Sequence, residues 1–178
     1  MARRYDPERR QRIIDAAIRV AGERGIAGLS HRAVATEADV PLGSTTYHFA
    51  TLDDLLVAAL HQVNEACMRE LDAREGLADP GCDLAAELAL LVDEMLTRDR
   101  GRTELEYELY LAALRREAVR PIAAEWVDLM TEVIARRTDR GTARALAALA
   151  DGLCLQVLLT GREFDREQAR VMFARLLG

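Results

Sequence analysis

Apolar residues recur three and four positions apart almost from the start of this chain. Ile13, Ile14, Ala17, Ile18 and Ala21 share one side of a helix. Asp6-Pro7 ahead of them predicts its start, an acceptor side chain followed by proline in the first turn. Gly25 after Arg24 predicts a left-handed stop. A second, short helix is expected from its cap Ser30 to Ala38, burying Val34 and Ala35. Asp39-Val40-Pro41 breaks it, because proline disfavours helical backbone at the residue before it. A third short helix covers about Leu42 to His48. Thr51-Leu52-Asp53-Asp54 reads as a capping-box variant, hydroxyl at the cap and acid three residues on. It launches a long fourth helix carrying Leu55, Leu56, Ala59, Leu60 and Val63.

Residues 74–83, rich in Gly, Pro and Asp, predict the clearest loop. Five more helices follow. Asp83 opens one that runs to Thr97, and Thr103-x-x-Glu106 has the form of a capping box opening the next. Pro121 lies in the first turn of a third, Thr142 opens a fourth that ends at Gly161, and Asp165-x-x-Gln168 caps the last. The expectation is an all-α chain of about nine helices.

Composition supports that class. Of 178 residues, 50% are hydrophobic and 30% charged, the balance of a soluble globular protein. The apolar mass is Ala and Leu, both strong helix formers, and only four residues are proline. All 24 basic residues are Arg, which GC-rich bacterial coding explains. Charge divides unevenly, +2 over residues 1–50 and −8 over residues 51–178, for a net −6. A basic head on an acidic body points to a polyanionic partner at the head.

MARRYDPERR has no apolar run behind it, so no signal peptide is expected. GLCLQVLLTG is too short to span a bilayer, and no membrane partner is expected. Cys67, Cys82 and Cys154 are odd in number and far apart, which suits a reducing cytoplasm.

The chemistry gathers in PLGSTTYHFA, residues 41–50. Two short helices joined by a tight turn and packed on a longer first helix make a helix-turn-helix, whose second short helix enters the major groove. Gly43 allows close backbone approach, while Ser44, Thr45 and Thr46 are short donor-acceptors able to reach base edges or phosphate. Tyr47 offers a phenol and a ring face, and His48 a donor. Phe49 is the expected anchor onto the first helix.

The stretch LSHRAVATEADVPLGSTTYHFATLDDLL, residues 29–56, resembles the DNA-binding signature of the TetR family of transcriptional regulators. The matching features are Ser30 with Arg32, the turn Ala38-Asp39-Val40, Tyr47-His48-Phe49 and Leu55-Leu56. The resemblance implies that residues 1–51 form the DNA-binding domain, contacting DNA through Ser30, Arg32, Leu42, Gly43, Ser44, Thr45, Thr46, Tyr47 and His48. Leu52 stands where members usually carry a phosphate-contacting Lys, which leaves Arg32, Arg3 and Arg4 to compensate, the last two as an arm.

Residues 52–178 would then form a helical ligand-binding and dimerisation domain. The resemblance implies a homodimer reading a palindromic operator in double-stranded DNA, and an effector pocket lined by some of His61, Met95, Tyr107, Tyr110, Trp126 and Met130. Leu146, Leu149, Ala150, Leu153, Cys154, Val157, Met172 and Leu176 are the expected dimer contacts, because a helix apolar on two faces must be covered on both. Glu106 could answer a cationic ligand were it not assigned to a capping box.

Nothing points to an enzyme. His31, His48 and His61 are scattered, no GxSxG, P-loop or dinucleotide glycine pattern occurs, and no metal site or cofactor is expected. A helical small-molecule carrier or a protein-interaction adaptor remains the alternative. Neither accounts for the hydroxyls at 44–46.

Overall fold

The computed structural model describes residues 7–98 and 100–178, and every regular element among them is helical. Ten α-helices follow in order: α1 Arg9–Arg24, α2 His31–Glu37, α3 Leu42–His48, α4 Leu52–Asp72, α5 Glu75–Ala78, α6 Leu84–Thr97, α7 Arg100–Ala112, α8 Arg120–Ala135, α9 Arg140–Thr160 and α10 Arg166–Leu177. The single turn α5, inside the expected loop, makes the count ten.

Side-chain caps fix five of the ten helix starts. The Ser30 Oγ accepts from the Ala33 N–H at 3.1 Å, ahead of α2. Thr51 and Asp54 form a reciprocal box: the Thr51 N–H donates to Asp54 and the Asp54 N–H to the Thr51 hydroxyl, at 2.9 and 3.1 Å. Asp83 and Asp165 cap α6 and α10 by accepting the N–H groups of Ala86 and Gln168. Replacing Ser30 by Ala orphans an N–H and should destabilise the chain by about 1 kcal/mol. Chemical denaturation would register this as a lower midpoint at an unchanged slope.

Three expected starts are corrected. The residue preceding α1 is Glu8, without a side-chain cap, and Asp6 lies outside the described residues. The α9 start belongs to Asp139, whose carboxylate takes the N–H groups of Gly141 and Thr142. Thr103 is no cap at all: it is buried within α7 and its hydroxyl donates to the Met95 carbonyl at 2.8 Å. A Thr-x-x-Glu spacing inside a helix matches the box by sequence alone. Here a tertiary acceptor takes the hydroxyl instead.

By contact density the chain forms two units, residues 1–63 with 105–123, and residues 64–104 with 124–178. The chain passes between them three times, after Val63, Glu104 and Ala123, each time inside a helix. In the first unit α1 packs on α2 and α3 around Ile13, Val20, Val34, Phe49, Leu55 and Leu60. In the second, α6 packs on α9 and α10 around Leu88, Val92, Leu146 and Phe173. Arg170 of α10 reaches the α6 cap Asp83 at 2.9 Å. The Ala86 N–H, and then this guanidinium, hold the Asp83 carboxyl below the usual carboxylate range.

Candidate functional site

The turn between α2 and α3 is tight because Asp39 takes a left-handed backbone, φ 51°, and the Val40 N–H returns to the Ala35 carbonyl at 3.0 Å. Pro41 follows, and its carbonyl accepts the Ser44 N–H at 2.8 Å. The seven residues of α3 then divide by helical phase. Leu42, Gly43, Thr46 and Tyr47 face outward, Tyr47 with 79% of its surface exposed. The half-buried His48 ring meets the Tyr47 ring edge-on at 5.2 Å between centroids.

Ser44 and Thr45 face inward, contrary to expectation. Both are buried, and the Thr45 hydroxyl donates to the Leu42 carbonyl at 2.8 Å. Successive helical residues turn by about 100°, so a helix packed on a core cannot present three consecutive side chains to one groove. Buried hydroxyls there need partners, and a carbonyl one turn back supplies one for Thr45. The Ser30 hydroxyl is engaged as the α2 cap, while Arg32 is exposed beyond it.

Arg10, which the sequence reading did not select, stands with its guanidinium 5.1 Å above the Phe49 ring, within cation–π range. Phe49 closes α3, so an exposed cation is held beside the end of that helix. Among the described residues the ring is its one recorded partner. Arg19, by contrast, is neutralised by Glu37 at 2.7 Å. Arg3 and Arg4 lie outside the described residues. Nothing in the sequence near Arg10 signals this, since the contact joins positions 39 residues apart.

The expected effector residues are divided between the units. His61, Tyr107 and Tyr110 belong to the first, Met95, Trp126 and Met130 to the second. Trp126 is buried, and Tyr107, Tyr110, Met95 and Met130 are half-buried. His61 is exposed on the solvent side of α4, so we remove it from the lining set. Glu106 is 5% exposed on α7, one turn from Tyr110.

On α9 the inward stripe is Ala143, Leu146, Ala147 and Cys154. Leu146 and Cys154, expected as dimer contacts, are therefore core of the chain itself, buried where α9 packs on α6 and α10. Leu149, Ala150, Leu153, Val157 and Met172 remain half-buried, while Leu159 and Leu176 are 82% and 40% exposed. By length and composition α9 could cross a membrane, yet its apolar window is only 22% buried within the chain.

No group of three metal-binding side chains occurs among the described residues. Cys67 lies 3.1 Å from the Arg102 guanidinium, and the Asp79 carboxylate pushes the Cys82 thiol up, away from nucleophilic thiolate.

Comparison with known proteins covers both units. Residues 13–59 match the bacterial regulatory proteins of the tetR family, and residues 79–178 match the tetracyclin repressor-like C-terminal domain. The crystal structure of the multidrug binding protein EbrR with ethidium shares 64% identity over 97% of this chain and 99% of its own, with a TM-score of 0.91. EbrR has also been crystallised with imidazole, proflavin and malachite green. A TetR-family structure from Streptomyces coelicolor A3 is 65% identical over 96% of this chain and 98% of its own, at a TM-score of 0.85. The HTH-type transcriptional regulator BetI of Paraburkholderia xenovorans (strain LB400) is 28% identical over 90% of this chain and 87% of its own. A helix-turn-helix with an outward Tyr47 and matches over both halves lead to one conclusion: the chain belongs to the TetR family and is a ligand-responsive DNA-binding transcriptional regulator.

Proposed function

We propose that the chain is a repressor that binds a palindromic operator as a homodimer and leaves it when a planar or triarylmethane cation occupies the protein. The observation that carries the DNA reading is the outward face of α3, Leu42, Gly43, Thr46 and Tyr47. Arg32 and Arg10 supply phosphate contacts on either side of it, Arg10 in place of the cation absent at Leu52. Two recognition helices roughly 34 Å apart would read half-sites one duplex turn apart. Residues 1–51 act as the DNA-binding domain and residues 52–178 as the effector and dimerisation domain.

The second copy covers α9 and α10. Leu149, Ala150, Leu153, Val157, Leu159, Met172 and Leu176 form an apolar outer surface that a cytoplasmic protein must bury. Ala150 and Gly152 allow close helix approach.

Cationic effectors are favoured by the ligands of EbrR and by Glu106. A buried carboxylate attracts a cation brought beside it more strongly than one in water does, and the half-buried rings of Tyr107 and Tyr110 on the same helix offer π faces to a flat ligand.

The test is selection of duplexes from a random pool, followed by anisotropy titration of the selected operator with and without malachite green. Malachite green is preferred to ethidium and proflavin, which intercalate in the duplex. Palindromic selection and dye-dependent release support the reading; sequence-indifferent binding would sink it. Glu106→Gln should weaken malachite green binding about 10- to 100-fold, the value of one charged contact, and leave operator affinity within about twofold. Quenching of Trp126 fluorescence measures the first quantity.

A further inference from the structure

The C-terminal half of α7 belongs to the same compact unit as the DNA-binding helices, and three contacts fasten it there. Leu105 lies against Gly22 of α1, where a Cβ would already touch its side chain at 3.6 Å. Three residues on, the Glu108 carboxylate accepts the Ile26 N–H at 3.1 Å. Gly25 makes room for it: its φ is +67°, and a Cβ there would stand 3.3 Å from the carboxylate oxygen. Arg116, just past α7, pairs with Asp53 in the first turn of α4.

These contacts reach the two ends that orient the head. Glu108 holds the turn leaving α1, and Arg116 holds the start of α4, immediately after α3. Leu105 and Glu108 are three apart and share one face of α7; Glu106 and Tyr110, four apart, share another. A helix is a stiff rod, so a ligand that displaces the second face rolls the first with it.

We propose that Glu108 and Arg116 are the coupling residues through which effector occupancy at Glu106, Tyr107 and Tyr110 changes the DNA affinity of the head. This rests on the effector reading above and assigns how that site is heard by α3. Neither side chain belongs to the outward face of α3 or to the effector residues named above. Each acts by tying α7 to the α1 turn and to the α4 start.

The experiment measures three quantities on the full-length chain: malachite green affinity by Trp quenching, operator affinity without dye, and the ratio of operator dissociation constants with saturating dye and without. Coupling in allosteric proteins typically amounts to about 5- to 150-fold. Glu108→Ala should shrink the wild-type ratio about fivefold and leave dye affinity within about twofold. Glu108→Gln, which keeps an acceptor for the Ile26 N–H, should restore most of the ratio. Arg116→Gln reads the other contact independently, should Glu108→Ala disturb the α1 turn. A responsive wild type with equally responsive Glu108→Ala and Arg116→Gln variants overturns the assignment alone. A wild type whose operator affinity ignores the dye overturns the effector reading, and this assignment with it.

Discussion

Replacing Tyr47 by Ala is expected to weaken operator binding about 10- to 100-fold and to leave the thermal unfolding curve in place. The two halves of that expectation have separate causes. With 79% of its surface exposed, Tyr47 gives little to the packing of α3, whose hold on the head comes from Thr45, Ser44 and Phe49. Its phenol and ring are the largest groups on the outward face, and one good contact to phosphate or base is worth about 1–3 kcal/mol. Tyr47→Phe separates the two groups: retained affinity assigns the contact to the ring, lost affinity to the hydroxyl. Thr45→Ala provides the contrast. It removes a buried hydroxyl bonded to the Leu42 carbonyl, and so should lower stability before it alters sequence preference. Anisotropy on the selected operator, alongside circular dichroism melts, decides the matter. Unchanged affinity for Tyr47→Ala would remove α3 from the groove.

Phe173→Ala should be the most damaging single substitution in the second unit, costing about 3–5 kcal/mol. Phe173 on α10 is wholly buried, in the unit where α10 packs on α6 and α9. Truncation leaves a ring-sized cavity whose walls are helices already close-packed, so little collapse can offset it. For a chain of this length that loss lowers the melting temperature by about 6–20 °C. Calorimetry checks it, and a fall below about 3 °C would mean that the site relaxes or that α10 contributes little to the folded state.

Much of this was legible in local sequence. Ser30, Thr51 with Asp54, Asp83 and Asp165 announce helix starts because a cap needs only a side chain and an N–H two or three residues away. Gly161, at φ 66°, marks the end of α9 for an equally local reason. The misses share a different origin. Thr103 fits the capping pattern, yet its acceptor is the Met95 carbonyl, at the far side of a turn between helices. Ser44 and Thr45 look like groove residues until the phase of α3 against α1 is fixed, and tertiary packing fixes it. Leu146 and Cys154 read as dimer contacts in the sequence because a helix apolar on two sides does not declare which side is inward. Arg10 and Glu108 act across 39 and 82 residues of sequence, and no local pattern could have paired them with Phe49 and Ile26.

The three passages of the chain between its compact units, inside α4, α7 and α8, bear on how this protein could be taken apart or recombined. A regulator whose parts are strung on loops can exchange a sensor for another at the loop. Here every seam runs through hydrogen-bonded helix, so a chimera joined at residue 63 must preserve the helical phase of α4 to keep Leu60 and Asn64, one turn apart on the same face, both buried. It must also carry residues 105–123 along with residues 1–63, because that segment folds with the DNA-binding end while lying far from it in sequence. Evolution faces the same constraint. Point substitution within the existing units avoids that constraint, whereas shuffling of whole domains must meet it at three helices at once.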